Sequence, residues 1–437
     1  MTPVAKLQAI VAIPTVSHRD PARTDTEAFG RLRKAMAEFW PRVHALDTIA
    51  VGEHGLLVRW AGRSSDRPVV LMAHLDVVPV VEQDWDRDPF GAELADGAVW
   101  GRGTLDDKGC VAAICEAAEQ MLTEGLVPAQ DVWLSFGCDE EVRGDSAREA
   151  VSVLAGRGVR PWLVLDEGGA VAHDAFPGVT APVAVVGVTE KGATSLLLTA
   201  TGDGGHPSAP SPNGPAVRLA RALTRLDSAP MRPRLPAPTI ELFRRMAPHA
   251  PAPLRALLGN ASWLAPAVSR LLALAGPEAA ALARTTMSVT TLEGSPALNV
   301  IPAAAKAGVN IRIMPGDSVA SVVEHVRAAT GDKSVGIEVI EASEPSPVSR
   351  YDDAAFDLVT GVIGEVFPDA VPAPYVVLAA TDSRFFAAIS DHVYRFAPFR
   401  MTRAERATIH AANEHIATGD FLAGITWYRR LLERLPG

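Results

Sequence analysis

The chain has 437 residues, of which 48% are hydrophobic and 21% charged, so it can build a large core and is not disordered over most of its length. Its net charge of −10, with no polybasic run, excludes a protein designed to neutralise nucleic-acid phosphates. No stretch reaches the roughly 18 uninterrupted apolar residues of a membrane helix. The greasiest part, 254–282, is broken by Arg255, Pro266, Arg270 and Pro277, so no membrane partner is expected.

At the N-terminus only Lys6 precedes a weakly apolar segment, 7–13, that ends at Pro14 with no cleavage site after it. No signal peptide is expected there. β-rich runs follow at 56–60, 69–73, 132–136 and 162–165. Over 108–124, Val111, Ile114, Ala118, Met121 and Leu122 keep helical spacing, and Gly125 stands where a C-cap glycine belongs. This alternation predicts an α/β fold with a mostly parallel central sheet flanked by helices.

Near Thr189 the pattern changes. A strand at 195–201 precedes a turn-rich stretch, 202–215, and a helix near 216–226. A segment rich in proline, alanine and leucine, 228–277, carries short helical pieces. Strands at 285–292 and 308–313, a helix at 318–330 and a strand at 336–341 complete an α+β pattern. The strand–helix alternation then resumes through 353–367, 375–378 and 393–396. The expected organisation is one domain in two parts, 1–187 and 346–437, with a second domain, 188–345, inserted into it.

Cys110, Cys115 and Cys138 form neither a disulfide framework nor a CxxC metal site, and they read as reduced thiols of a cytoplasmic protein. The chemistry lies in acidic and histidine clusters. His74-Leu-Asp76 ends the 69–73 strand, where a histidine ligand and an orienting carboxylate could sit. His18-Arg-Asp20 has the same spacing and reads as a surface loop, so position decides: in open α/β sheets ligands gather beyond the carboxyl ends of strands. Asp106 and Asp107 open the 108–124 helix, where simple capping would also explain them. Asp139, Glu140 and Glu141 follow the 132–136 strand; three adjacent carboxylates repel, and a bound cation removes that cost. Asp166 and Glu167 follow the 162–165 strand, and His410 stands alone near the C-terminus. Two imidazoles with four or five carboxylates suit two borderline cations sharing a bridging carboxylate, zinc above all, with manganese or cobalt as alternatives.

These motifs, in order, resemble those of the dinuclear-zinc peptidases and deacylases, which include acetylornithine deacetylase, carnosinase, glutamate carboxypeptidase and carboxypeptidase S. The resemblance runs from Leu7-Gln-Ala-Ile-Val-Ala-Ile-Pro14 through the clusters above, Gly205-His206-Pro, Asn299-Val-Ile-Pro302 and Thr381-Asp-Ser-Arg384 to Ile409-His410-Ala-Ala-Asn413-Glu. It implies that Asp106 bridges two metals, that His74 and Asp166 complete one site, and that Glu141 and His410 complete the other. It makes Asp76 the partner of His74 and Glu140 the general base, and it implies a cis peptide at Asp106–Asp107. His206, in an inserted lid and dimerisation domain, would reach a neighbouring subunit's site and hold the oxyanion, while Asn299 and Arg312 would contact substrate. Ala73, Ala411 and the pair Ala379-Ala380 replace glycines usual in that family, and Asn310 replaces a frequent aspartate; none is a proposed ligand.

The Asp166-Glu-Gly-Gly, Thr-Asp-Ser-Arg and Val393-Tyr-Arg-Phe-Ala-Pro398 runs look most like the carboxypeptidase S and N-acyl-amino-acid hydrolase branch. The implied activity is metal-dependent cleavage of the amide in dipeptides or N-acyl amino acids bearing a free carboxylate, by a homodimer. The alternative is a non-catalytic peptide- or amino-acid-binding protein on the same fold. For the 228–277 segment two readings stand: a cover over the acyl side of the pocket, or helices that pack on the inserted domain.

Overall fold

A computed structural model describes residues 1–437. Its larger sheet is ordered Asp47–Val51, Gly55–Trp60, Gln130–Gly137, Ser64–His74, Leu163–Asp166, Val393–Arg395, Val183–Glu190, Ala170–Ala172 and Arg400–Met401. Val371–Val377 pairs in parallel with Val183–Glu190. The four central strands, from Gln130–Gly137 to Val393–Arg395, run parallel, and the antiparallel pairs lie to either side.

The central strands are apolar at every position because both faces are covered. Val69, Leu71, Leu134 and Leu165 point into the main core with Val111, Ile114 and Ala118. Val70, Met72, Trp133 and Val164 point the other way, onto Ala147, Ala150 and Leu154 of the helix Asp145–Gly156. The helix Lys108–Thr123 is buried along most of its length, enclosed by the sheet and by the helices Pro3–Val11, Pro41–His44 and Thr418–Glu433. It ends one residue before the expected point, and Gly125 there takes the left-handed conformation at φ +73.

Two strands differ from expectation for identifiable reasons. The run expected at 69–73 begins at Ser64, which pairs with Gln130; the exposed residues 65–67 and the buried Pro68 then fall within a register shift before Val69. The strand Val371–Val377 extends back over Pro372 and Pro374 because it pairs on one side only, where missing N–H donors leave no ladder bond unmade.

The second sheet, ordered Thr286–Glu293, Ala304–Ile313, Gly192–Thr201 and Val335–Ser343, is antiparallel throughout. Leu196, Leu198, Val309 and Ile311 point from it into a separate core against the helices Pro215–Asp227 and Val319–Thr330. The two chain segments joining the sheets run side by side: Ser346 Oγ accepts from Glu190 N at 3.0 Å, and Thr189 Oγ1 donates to the Ser346 carbonyl at 2.8 Å. A Cβ at Gly192 would lie 2.5 Å from the Ser343 carbonyl oxygen, so only glycine fits this crossing.

The helices of the 228–277 segment join neither core. Leu242, Phe243, Met246, Leu258 and Val268 pack with Val183 and Ala373 of the larger sheet. The edge strand Val371–Val377 offers an apolar face that the second sheet does not reach. No helix is long and apolar enough to cross a membrane.

Near the N-terminus the Glu116 carboxylate accepts from Lys6 Nζ at 2.7 Å, Trp40 Nε1 at 2.9 Å and Gln120 Nε2 at 3.2 Å. Burial pushes its pKa up, but these donors outweigh burial and hold it below the ordinary 4.5. A depressed native pKa adds stability that is complete above the unfolded value and lost as pH falls through the folded one. Glu116→Gln should therefore flatten the loss of stability below about pH 4.5, read as urea midpoints across an acid series. Parallel curves for the two proteins would remove Glu116 from the acid transition.

Candidate metal centre

Because Ser64–His74, Gln130–Gly137 and Leu163–Asp166 are parallel, their carboxyl ends lie at one end of the sheet. His74 and Asp166 are the last residues of two of these strands, and Glu140 and Glu141 follow the third. His410 arrives from the far end of the chain through a third, small sheet in which His415–Ala417 pairs with Ala98–Trp100. This pairing lays the His410 loop against the loop that carries Asp106.

Asp106 stands between the two imidazoles. Its Oδ1 is 2.8 Å from His74 Nε2 and its Oδ2 is 3.0 Å from His410 Nε2. His410 Nε2 is also 3.1 Å from Glu141 Oε1. Donor atoms of His74, Glu140 and Glu141 lie within 4.8 Å of one another, as do those of Asp106, Glu141 and His410. Oxygen and imidazole donors without thiolates, in two groups that share Glu141, fit a pair of divalent cations. The Asp106–Asp107 peptide is cis, and His410 is left-handed at φ 61.

The carboxylates are crowded. Burial pushes Glu140 well above the usual carboxylate range, and Asp382 and Glu141 add to that against the pull of His74. Burial likewise raises Glu167 well above its ordinary value, with Asp106 and Asp166 adding repulsion. Burial would raise Asp106 too, but hydrogen bonds from His410 and His74 hold it below the ordinary value. Hydrogen bonds with Asp106 and Glu141 lift His410 to about 10. A site that must protonate its carboxylates and charge its imidazoles to relieve repulsion is one that cations would stabilise.

Asp76 does more than face the imidazole. His74 Nδ1 is 3.0 Å from the Asp76 carbonyl and 3.4 Å from its Oδ1. The Asp76 carboxylate accepts from Glu140 N at 3.2 Å, Glu141 N at 3.1 Å and Ser17 Oγ at 2.7 Å, and so fixes the backbone that presents both glutamates. Asp139 turns away to cap the next helix, accepting from Asp145 N at 2.8 Å and Ser146 N at 3.1 Å. Asp166 lies outside both donor groups, and its Oδ2 accepts from Ser383 N at 3.0 Å. Gly109 lets the helix Lys108–Thr123 start against the site loop, since a Cβ there would lie 2.3 Å from the Thr104 carbonyl oxygen.

His206, Asn299 and Arg312 are exposed and make no hydrogen bond to these residues. His206 lies on the loop after Gly192–Thr201, with its Nδ1 2.8 Å from Ser208 Oγ. Arg312 lies on the helix-free face of the second sheet, the face on which Asn310 Nδ2 donates to Ser195 Oγ at 3.3 Å. The His18–Asp20 loop is exposed at Arg19 and Asp20 and reaches the second sheet through Arg19 and Glu341, 2.5 Å apart.

Glu414 is a residue whose part the sequence did not disclose, although it closes the Ile409–Glu414 run. It is fully buried, and its Oε1 accepts from Gly103 N at 3.0 Å, Leu105 N at 2.8 Å and Asp106 N at 3.1 Å. Its Oε2 pairs with the buried Arg102 at 2.6 Å. Glu414→Gln leaves Arg102 uncompensated in the interior and should cost about 3–5 kcal/mol in urea unfolding. Adding Arg102→Met should recover part of that loss, and no recovery would contradict the assignment of the cost to a stranded charge.

A mostly parallel α/β sheet with imidazoles and carboxylates gathered at its carboxyl end defines a metallohydrolase. The chain belongs to peptidase family M20/M25/M40, whose model matches residues 70–434. It is 33% identical over 435 residues to the N-fatty-acyl-amino acid synthase/hydrolase PM20D1 of Homo sapiens, covering 98% of this chain and 86% of that protein. It is 27% identical over 481 residues to carboxypeptidase S of Saccharomyces cerevisiae, covering 97% and 82%. Among solved structures, the M20 metallo-carboxypeptidase Sso-CP2 of Sulfolobus solfataricus superposes with a TM-score of 0.72 at 17% identity, over 99% of each chain. Human carnosine dipeptidase 1 superposes at 0.69 and 16% identity, over 99% of this chain and 95% of that one. These last two likenesses speak for the fold.

Proposed function

We propose that the protein hydrolyses the amide bond of N-acyl amino acids or dipeptides that carry a free carboxylate, using two divalent cations, zinc above all. The observation that carries this reading is Asp106, which offers one oxygen to the His74 side and the other to the His410 side. His74 and Asp166 would hold one cation, Glu141 and His410 the other, with Asp106 between them. Two bound cations would supply a water acidic near neutral pH and would polarise the substrate carbonyl.

The chain's own residues supply the rest. Glu140 takes the proton from the attacking water, then delivers it to the leaving amine nitrogen. We take 1–187 and 346–437 as the catalytic domain and 188–345 as the inserted domain whose helix-free sheet face closes over the substrate. Arg312 on that face pairs with the substrate carboxylate in two-point geometry, and Asn299 contacts the substrate beside it. His206, contributed by a second copy of the chain, donates to the oxyanion. The exposed edge strand Thr286–Glu293 supports pairing of two copies. The three free, buried cysteines support a reducing, cytoplasmic setting.

Amine release from a panel of dipeptides and short- and long-chain N-acyl amino acids tests this, with zinc, manganese or cobalt and after chelation. Metal-dependent release from carboxylate-bearing amides is the expected result. No release from protein holding two metals would refute hydrolysis. Arg312→Ala should raise KM for such substrates by roughly 10- to 100-fold, the loss of a charged hydrogen bond, while leaving hydrolysis of an amidated analogue unchanged. An equal loss on both substrates would take Arg312 away from the carboxylate.

A further inference from the structure

The helical segment Ala265–Leu274 is apolar on both sides, yet only one side is covered. Ala261, Leu264, Val268 and Leu272 face the core shared with Val183 and Ala373. Trp263, in the turn before the helix, and Ala267, Leu271 and Leu274 within it form an exposed apolar row beside the covered one. That row lies in solvent: Trp263 is 85% exposed, Leu271 55% and Leu274 86%. A helix apolar all round is ordinarily buried, and clustered large apolar side chains in water mark an interaction surface.

The charge around this row is unlike that of the rest of the molecule. In a chain of net charge −10 there is no carboxylate between Glu241 and Glu278; Arg270 on this helix and Arg255 on the preceding one are exposed cations, and Glu278, which follows the row, is paired with Arg403. An indole and leucines beside arginines are the composition of a helix that lies in the interface of an anionic bilayer.

The position also fits a surface that delivers substrate. Strand Ala170–Ala172 runs in the same direction as Leu163–Asp166, since each is antiparallel to Val183–Glu190 or parallel to a strand that is. The loop after it therefore lies at the end of the sheet that holds the metal centre. There the helical segment is anchored, with Thr180 N and Oγ1 both donating to the His249 carbonyl at 3.2 and 3.3 Å. Arg403, in the short helix that precedes the His410 loop, pairs with Glu278 at 2.9 Å.

We infer that the row Trp263, Ala267, Leu271 and Leu274, flanked by Arg255 and Arg270, docks this protein on anionic lipid surfaces. This departs from the expectation of no membrane partner, which rested on the lack of a spanning segment. The inference does not depend on the hydrolase reading, and binding is measured without turnover.

The test is co-sedimentation of the full chain with phosphatidylcholine vesicles, with and without phosphatidylglycerol, at low and high salt. The wild type should bind the anionic vesicles and release from them as salt rises. The triple variant Trp263→Ser, Leu271→Ser, Leu274→Ser should bind at least about tenfold more weakly, given the apolar area removed, with an unchanged circular dichroism spectrum and melting temperature. Arg255→Glu with Arg270→Glu should abolish the preference for phosphatidylglycerol. Hydrolysis of a short, soluble N-acyl amino acid should be the same in all three proteins. Wild type that stays in the supernatant with every vesicle overturns the proposal, as does a triple variant that binds like wild type. Concentration-dependent dimerisation abolished by the triple variant would also overturn it, in favour of a second copy on this row.

Discussion

Glu140→Gln should lower kcat by about 100- to 10,000-fold, the range for losing a positioned general acid–base, while the protein still binds two equivalents of metal. The amide keeps the size of the side chain and removes its ability to accept a proton. The backbone around it should not move, because the Glu140 and Glu141 N–H groups are held by Asp76 rather than by their own side chains. The sign of the pH response follows from the same group. A general base acts only while ionised, so its working form is lost as pH falls, and the acid limb of the rate profile should belong to wild type and vanish from the residual activity of the variant. Steady-state kinetics across a pH series, with metal content read by mass spectrometry on the same samples, checks both statements. Turnover within a few-fold of wild type would sink the mechanism; lost turnover with lost metal would reassign Glu140 from base to ligand.

Asp106→Ala should be the most damaging change for metal binding. Asp106 meets both imidazoles, at 2.8 and 3.0 Å, and no other carboxylate does. The loss in metal affinity should exceed about 100-fold, the upper end for removing an outer partner of a ligand, and activity should fall below detection without excess metal. Asp106→Asn separates charge from shape, since an amide offers an oxygen to one side only. Cobalt substitution followed by absorption spectroscopy would show whether one cation or both are lost. A variant that retains two cobalt ions with wild-type affinity is incompatible with a bridging Asp106.

Much of this centre was legible in the sequence because the placement rule is local. An apolar run followed by His74-Leu-Asp76, Asp139-Glu-Glu141 or Asp166-Glu says where each cluster stands on its strand. Parallel strands then bring those ends together without further instruction. The adjacency of His74, Glu140 and Glu141 follows from that rule, whereas Asp106, on the loop that opens a helix, does not. The division of labour within the clusters does not. Asp139 looks like its two neighbours in the sequence, but it caps the helix Asp145–Gly156 while they face the metal centre.

What the sequence by itself determined is therefore the α/β class, the sheet with its acidic carboxyl end, and the family to which the chain belongs. The tertiary structure decided three further matters. It brought Glu414 onto the Asp106 backbone across 308 residues of chain, a contact that only the pairing of His415–Ala417 with Ala98–Trp100 could create. It gave the Asp76 carboxylate the task of holding two glutamate N–H groups. It also placed the 228–277 helices on the free edge of the larger sheet, leaving Trp263 and Leu274 in water. The reason is the same in each case: hydrophobic pattern fixes which face of an element must be covered, but not which distant surface covers it. Buried carboxylates are satisfied by whatever backbone the completed fold brings within reach.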